Sequence, residues 1–267
     1  MNALGKMIEP EQSFRSRQWT DNSRPRYWWH RLPGMDFIPP IYSDLSEEEW
    51  QIIRDWYKAT DQNGAIGECA VPLSSLLQGL VLGNRIVRIA QLGTCSGYLS
   101  LLLGFMLRRM KTSHGLFSLD IDPAMCVLSR DWIKRAQLQD FVEIVELDSL
   151  DPNATKSAAS YLGGEPELII IDSSHEYTST LRELDLWYPA LSRGGLMVLH
   201  DVSHFAAEFD VTNAGGVRRA FLEWRKEHPE AEGFCLNGES RTMELPRPLY
   251  KDACGLGLIH KPGIPSS

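Results

Sequence analysis

From residue 86 onward, short apolar segments alternate with longer segments of helical periodicity, and this alternation limits the fold more than any other feature of the chain. Residues 86–92, 116–119, 141–147, 168–171 and 196–199 read as strands. The segment Leu168-Ile169-Ile170-Ile171 is apolar throughout, as a strand covered on both faces must be. Residues 98–110, 124–137, 152–161 and 177–191 read as the intervening helices, the last with Leu181, Leu184, Tyr188 and Leu191 on one face. A helix over 216–228 places Val217, Ala220, Phe221 and Trp224 at i, i+3, i+4 and i+7. Two short strands, 234–236 and 256–259, follow with no helix between them. The expected fold is α/β: a Rossmann-like, doubly wound, mostly parallel seven-stranded sheet whose last strand is antiparallel.

Residues 1–45 differ in character. They carry Arg15, Arg17, Arg24, Arg26 and Arg31, the aromatics Trp19, Tyr27, Trp28 and Trp29, and five prolines, and read as an irregular arm. Ser46 with Glu49 forms a capping-box pattern, Trp50, Ile53 and Tyr57 give the next helix an apolar stripe, and Asn63-Gly64 ends it. A short helix over 72–83 follows. The expected division is an arm and helix over 1–63, serving as an active-site cover or a homodimer contact, and a ligand-binding domain over 64–267. Acidic residues outnumber basic ones 35 to 27, for a net charge of −8, which argues against a nucleic-acid partner. Five cysteines without a CxxC pair argue against a disulfide framework or zinc ribbon. The N-terminus lacks the apolar core of a signal peptide, and no run is long enough to cross a membrane, so a soluble cytoplasmic protein is expected.

In such sheets ligands bind beyond the carboxyl ends of the strands. After the first strand comes Gly93-Thr94-Cys95-Ser96-Gly97, a turn that lets a ligand approach backbone N–H groups at a helix start. Cys95 occupies the second glycine's place of a dinucleotide fingerprint, and the last glycine comes one position early. After the second strand, Asp120 is placed to accept both hydroxyls of a ribose, and Asp122 before Pro123 reads equally as a helix cap. After the third, Asp148-Ser149 either meets an adenine amino group or caps a helix.

Taken together, Gln91 to Gly97, Ser118 to Asp122, Glu167 to His175 and Gly194 to Asp201 resemble the class I S-adenosylmethionine-dependent methyltransferases over about residues 64 to 260. Within that class the chain is similar to small-molecule O-methyltransferases of the catechol and caffeoyl-CoA type and to antibiotic-tailoring relatives. The resemblance implies the methionine moiety near Gly93, Thr94, Ser96 and Gly97, the ribose on Asp120 with Asp122 beside it, and adenine near Asp148 and Ser149, with Asp172 completing the cofactor site. It also implies a metal-binding aspartate at Asp172. The family's lysine base corresponds to His175, and its Asp-Asn metal pair to His200-Asp201, so the carry-over is partial.

The chemistry can be argued apart from the resemblance. A methyl sulfonium is already activated, so the protein needs only to align an acceptor and take its proton, a role suited to His175 beside Asp172. Asp172, His200 and Asp201 form a candidate set for Mg2+ or another divalent cation, with the imidazole shifting preference toward transition metals. The alternatives are that Asp172 caps the following helix and that His175 is a helix-start residue that only hydrogen-bonds. The loop 202–215, with His204, Phe205, Phe209 and Asp210, and the arm with Trp28, Trp29 and His30 are expected to shape the acceptor pocket. The resulting expectation is methyl transfer to a hydroxyl, less readily an amine, of a small molecule in secondary metabolism. The alternatives are a cyclase or lyase releasing methylthioadenosine, and a non-catalytic nucleoside-binding module.

Overall fold

The computed structural model describes residues 39–64, 67–242 and 249–263. Most of the arm, including Trp28, Trp29 and His30, lies outside the described residues. The chain divides into two compact units, residues 1–66 and 67–267. In the first, helix α1 (Pro40–Ser43) precedes α2 (Glu47–Asn63). The capping box forms: Glu49 N–H donates to Ser46 Oγ at 3.2 Å, and Ser46 N–H donates to Glu49 Oε2 at 2.9 Å. Gly64, left-handed at φ 72°, ends α2 as expected. Tyr42 and Trp50 meet edge to face at 5.6 Å.

The second unit opens with α3 (Val71–Asn84). It continues as β1 (Ile89–Leu92), α4 (Tyr98–Met110), β2 (Leu116–Asp120), α5 (Pro123–Arg135), β3 (Val142–Glu146), α6 (Ala154–Leu162), β4 (Leu168–Ile171), α7 (Tyr177–Ala190) and β5 (Leu196–His200). A short 3-10 turn (Ala206–Phe209), α8 (Gly216–Glu227), β6 (Glu232–Leu236) and β7 (Leu256–His260) complete it. The seven strands are ordered β3-β2-β1-β4-β5-β7-β6. β1 to β5 pair in parallel, and β7 lies antiparallel between β5 and β6. β6 and β7 thus form an antiparallel pair at the sheet edge, with the later strand, β7, next to β5. Gly257 in β7 faces Phe221, where a Cβ would sit 3.0 Å from the ring.

Differences from the sequence reading are mostly of one or two residues at element ends. The larger one is β1, which starts at Ile89 rather than 86, because Ile86 bonds back to Val81 and closes the end of α3. Loop 202–215 contains the 3-10 turn instead of being irregular throughout. On α7 the buried face includes Thr180 and Glu183 besides Leu184, Trp187 and Tyr188. The far end of that helix is closed by Lys261, whose Nζ donates to the carbonyls of Tyr188, Pro189 and Leu191.

Two helix starts converge on Asp210, which is 1% exposed. Its Oδ2 accepts from Gly216 N–H at 2.8 Å and Tyr177 N–H at 3.3 Å, and its Oδ1 accepts from Thr212 N–H and Oγ1–H at 2.9 and 2.6 Å. Burial would raise this carboxyl, but these donors outweigh it and hold it at about 2. Because the folded value is depressed, its contribution is present above the ordinary carboxylate range and is lost as pH falls through the folded value. Asp210→Ala is expected to cost about 2 kcal/mol in urea unfolding at neutral pH. The difference from the parent should shrink as pH approaches about 2, and an unchanged midpoint at pH 7 would refute the shared-cap role.

Candidate active site

The turn after β1 is held from below and from the side. Gly93 has φ 89°, and a Cβ there would overlap the Asp172 carbonyl, so only glycine lets the ends of β1 and β4 come this close. Gly97, at φ 85°, leads into α4, and its Cα faces Ser129, whose Oγ would lie 2.9 Å from an added Cβ. Buried Gln91 donates from Nε2 to the Gly93 carbonyl at 2.9 Å and accepts from Ser100 Oγ at 2.9 Å. From β2, Asp120 Oδ2 accepts from Thr94 N–H at 3.0 Å and Cys95 N–H at 2.7 Å, while Oδ1 accepts from Asp122 N–H at 2.9 Å. Three of the roughly four acceptor positions of this carboxylate are thus used within the protein, leaving the remainder for a ligand.

Above this turn lies a cavity of about 450 Å³ lined by Gly93, Cys95, Asp120, Ile121, Asp122, Met125, Leu147, Asp148, Ser149, Leu150, Asp172, Ser173 and Glu183, among others. It thus contains six of the expected cofactor residues: Gly93, Asp120, Asp122, Asp148, Ser149 and Asp172. Thr94 and Ser96 do not line it. Their side chains are buried beneath the turn, where Thr94 Oγ1 meets Ser118 Oγ at 2.6 Å, and Gly97 serves the helix start instead. Asp122 also caps α5, accepting from Ala124 N–H at 2.8 Å. Asp148 likewise accepts from Leu150 N–H at 2.8 Å. The capping reading therefore holds for Asp122, whereas the Asp148 bond closes a turn and caps no helix, since α6 starts at Ala154 with Asn153 as its N-cap.

Next to the cavity, the ends of β4 and β5 bring titratable groups together. His175 Nε2 lies 3.1 Å from Asp201 Oδ2 and 3.9 Å from Asp172 Oδ1. His200 Nδ1 lies 3.5 Å from Asp172 Oδ1 and 3.5 Å from Asp201 Oδ2, and its Nε2 lies 3.0 Å from Asp252 Oδ2. Asp201 adopts a left-handed backbone, φ 62°, which a non-glycine residue reaches only under local constraint. The hydrogen bond that His175 donates to Asp201 raises the imidazole above its ordinary value, with burial opposing. Burial would depress His200, but the charges of Asp201, Asp172 and Asp252 override it and hold the imidazole well above its ordinary value. Burial would raise Asp201, and the two imidazoles pull it down instead. Burial pushes the neighbouring Cys254 thiol up to about 12, so it stays protonated.

The residues that sequence reasoning missed come from two places. Asp252 and Cys254 lie in the polar segment between β6 and β7, where Cys254 N–H donates to Asp252 Oδ1 at 3.0 Å. Asn237 fixes that segment by donating to the carbonyls of Tyr250 and Asp252, each at 2.7 Å. No spacing signal joins residue 252 to residue 200; only the insertion of β7 beside β5 does. Glu183 is the second, masked by its place on the buried face of a helix. Phe209 packs on His175 at 5.7 Å and on Phe205 at 5.4 Å, placing the expected aromatic loop against the imidazole.

Residues 90–202 match the family model of a methyltransferase domain, Methyltransf_24. A curated relative is the ribosomal RNA large subunit methyltransferase E of Rhizobium rhizogenes, 33% identical over 124 residues, which are 45% of this chain and 50% of that protein. The chain spans about half the length of the curated relatives it matches. Among solved structures, the O-methyltransferase from Bacillus cereus in complex with S-adenosylhomocysteine superposes with a TM-score of 0.61 at 18% identity, covering 84% of this chain and 96% of that one. The O-methyltransferase TomG from Streptomyces achromogenes, involved in tomaymycin synthesis and solved with S-adenosylmethionine, gives 0.57 at 14% identity, covering 82% and 91%. The glycine turn and the strand order agree with this match of residues 90–202 to a methyltransferase domain.

Proposed function

We propose that the protein transfers the methyl group of S-adenosylmethionine to a hydroxyl of a small molecule. The observation that carries this reading is the position of Asp172, which lines the cavity and also stands within 3.5 Å of His200 and 3.9 Å of His175. A cofactor site and a proton-accepting site therefore share one wall. Bound in the cavity, S-adenosylmethionine supplies an activated methyl group. Gly93 and the backbone around it would meet the methionine moiety, the remaining acceptor position of Asp120 one ribose hydroxyl, and Asp148 and Ser149 the base.

The chain's own residues then have two tasks. His175 donates from Nε2 to Asp201, which leaves Nδ1 as the acceptor for the hydroxyl proton. As that proton leaves, the acceptor oxygen bonds to the methyl carbon and the electron pair of the carbon–sulfur bond returns to sulfur. Asp172 and Asp201 stabilise the imidazolium that forms, as a carboxylate does in other histidine-based sites. Phe205 and Phe209 offer aromatic faces for the acceptor.

The donor set also fits a divalent cation. Each imidazole of His175 and His200 lies 3.1 to 3.9 Å from the carboxylates of Asp172 and Asp201, and ligand atoms of Asp172, His175 and Asp201 all lie within 4.8 Å of one another. Ligands bound at about 2.1 Å stand at roughly such separations from one another. Asp172, His200 and Asp201 would hold the ion, and Asp252 would orient His200 from its far nitrogen. An ion there would lower the acceptor hydroxyl's pKa and hold it in line with the methyl group. An RNA acceptor is the second reading, supported by the name of the Rhizobium relatives and opposed by the net charge of −8.

Three outcomes are expected. With labelled S-adenosylmethionine and a panel of catechol-type and phenolic acceptors, label should appear in small molecules and not in ribosomal RNA; transfer to RNA alone would overturn the acceptor class. His175→Ala should lower kcat by about 100-fold or more with KM for the cofactor little changed. Because its neutral form is the base and its folded value is raised, kcat/KM should climb as pH rises through that value. The stabilisation from the His175–Asp201 pair runs the other way, complete below the ordinary histidine value and lost as pH rises through the folded one. A flat pH–rate profile from pH 6 to 9 would remove His175 as the base.

A further inference from the structure

Glu183 is 1% exposed and lies on α7 at the wall of the cavity. Its Oε1 accepts two hydroxyls, Ser149 Oγ at 2.5 Å and Ser173 Oγ at 2.7 Å. These come from the segments after β3 and after β4, strands separated in the sheet by β2 and β1. Ser149 is fixed a second time, since Trp187 Nε1–H donates to its carbonyl at 2.9 Å. Glu183 Oε2 is buried and has no hydrogen-bond partner among the described residues. Among the described residues, no lysine, arginine or histidine lines the cavity. A buried carboxylate oxygen without a donor is costly, and serines spent on Oε1 do nothing for it. An N–H donor carried by a ligand in the cavity would satisfy it.

Sheet order decides which part of the ligand it is. The glycine turn follows β1, Asp120 ends β2 and Ser149 follows β3, so a nucleoside whose sugar sits on Asp120 extends its base toward Ser149. Ile121, Met125, Leu147 and Leu150 line that part of the cavity and give the ring apolar faces. An N9-linked adenine carries acceptors at its ring nitrogens, and its exocyclic amine is its one N–H donor. We propose that Glu183 is a specificity-determining residue for the cofactor, its Oε2 accepting an N–H of the adenine exocyclic amine. The inference rests on reading the cavity as the S-adenosylmethionine site.

Titration calorimetry on the full chain tests it with two probes: S-adenosylhomocysteine, and the same compound with hydrogen in place of the purine amine. The parent protein should bind the amine-free compound about 10- to 100-fold more weakly, as loss of a charge-assisted hydrogen bond predicts. Glu183→Gln should lose a similar factor with S-adenosylhomocysteine and little more with the amine-free compound, because the two changes remove one interaction. Equal affinity of the parent for both probes would overturn the proposal, and this arm needs no variant to fold. An equal penalty of Glu183→Gln on both probes would also overturn it, since Glu183 would then touch another part of the cofactor or only brace Ser149 and Ser173. Failure of the parent to bind either probe would instead remove the reading of the cavity itself.

Discussion

The carboxylate of Asp120 accepts the N–H groups of Thr94 and Cys95, and much of the site depends on those two bonds. They fix the turn after β1 to the end of β2. The turn in turn presses Gly93 against the Asp172 carbonyl, which sets how near the end of β4 can come. Cys95 sits with φ 46° where a dinucleotide fingerprint has glycine, and the strained conformation is held by the same carboxylate and by Ser129 Oγ, which donates to its carbonyl at 2.8 Å. A residue that the sequence marks as a ligand contact is thus first a structural one. Any ligand that uses Asp120 meets a carboxylate already aimed and three-quarters occupied, which reduces the ordering cost of binding.

The second organising interaction is a balance of charge at the ends of β4 and β5. Asp172, Asp201 and Asp252 surround His200, and Asp201 also holds His175. Three carboxylates this close would repel one another strongly without a cation among them. The charges of Asp201, Asp172 and Asp252 hold His200 well above its ordinary value despite its burial, so an imidazolium is favoured among them. His175 is tied to the same balance through Asp201, which the two imidazoles share.

The sequence made the parallel sheet legible because uniformly apolar strands such as 168–171 can exist only when covered on both faces, and crossover helices supply the cover. The cavity residues at strand ends were legible for the same reason: topology sends the first residue after each strand to one edge. What escaped was anything set by pairing between distant segments. The entry of β7 beside β5 carries Asp252 to His200, and no local period encodes that register. Glu183 escaped because a charged residue in an amphipathic helix reads as a solvent-facing position, whereas here two serines from separate loops turn it inward. Thr94 and Ser96 are instead buried, and Thr94 Oγ1 meets Ser118 Oγ at 2.6 Å beneath the turn.

The position of β7 has a consequence for how the molecule comes together. β6 finds its sheet partner only in β7, and β7 finds its other partner in β5, so the edge of β5 stays open until the latest strand of the sheet docks. Asp252 rides on the segment leading into that strand, and His200 is left facing two carboxylates instead of three until it arrives. Completion of the charge cluster around His200 is therefore coupled to closure of the sheet, because Asp252 comes to the imidazole on the segment that leads into β7.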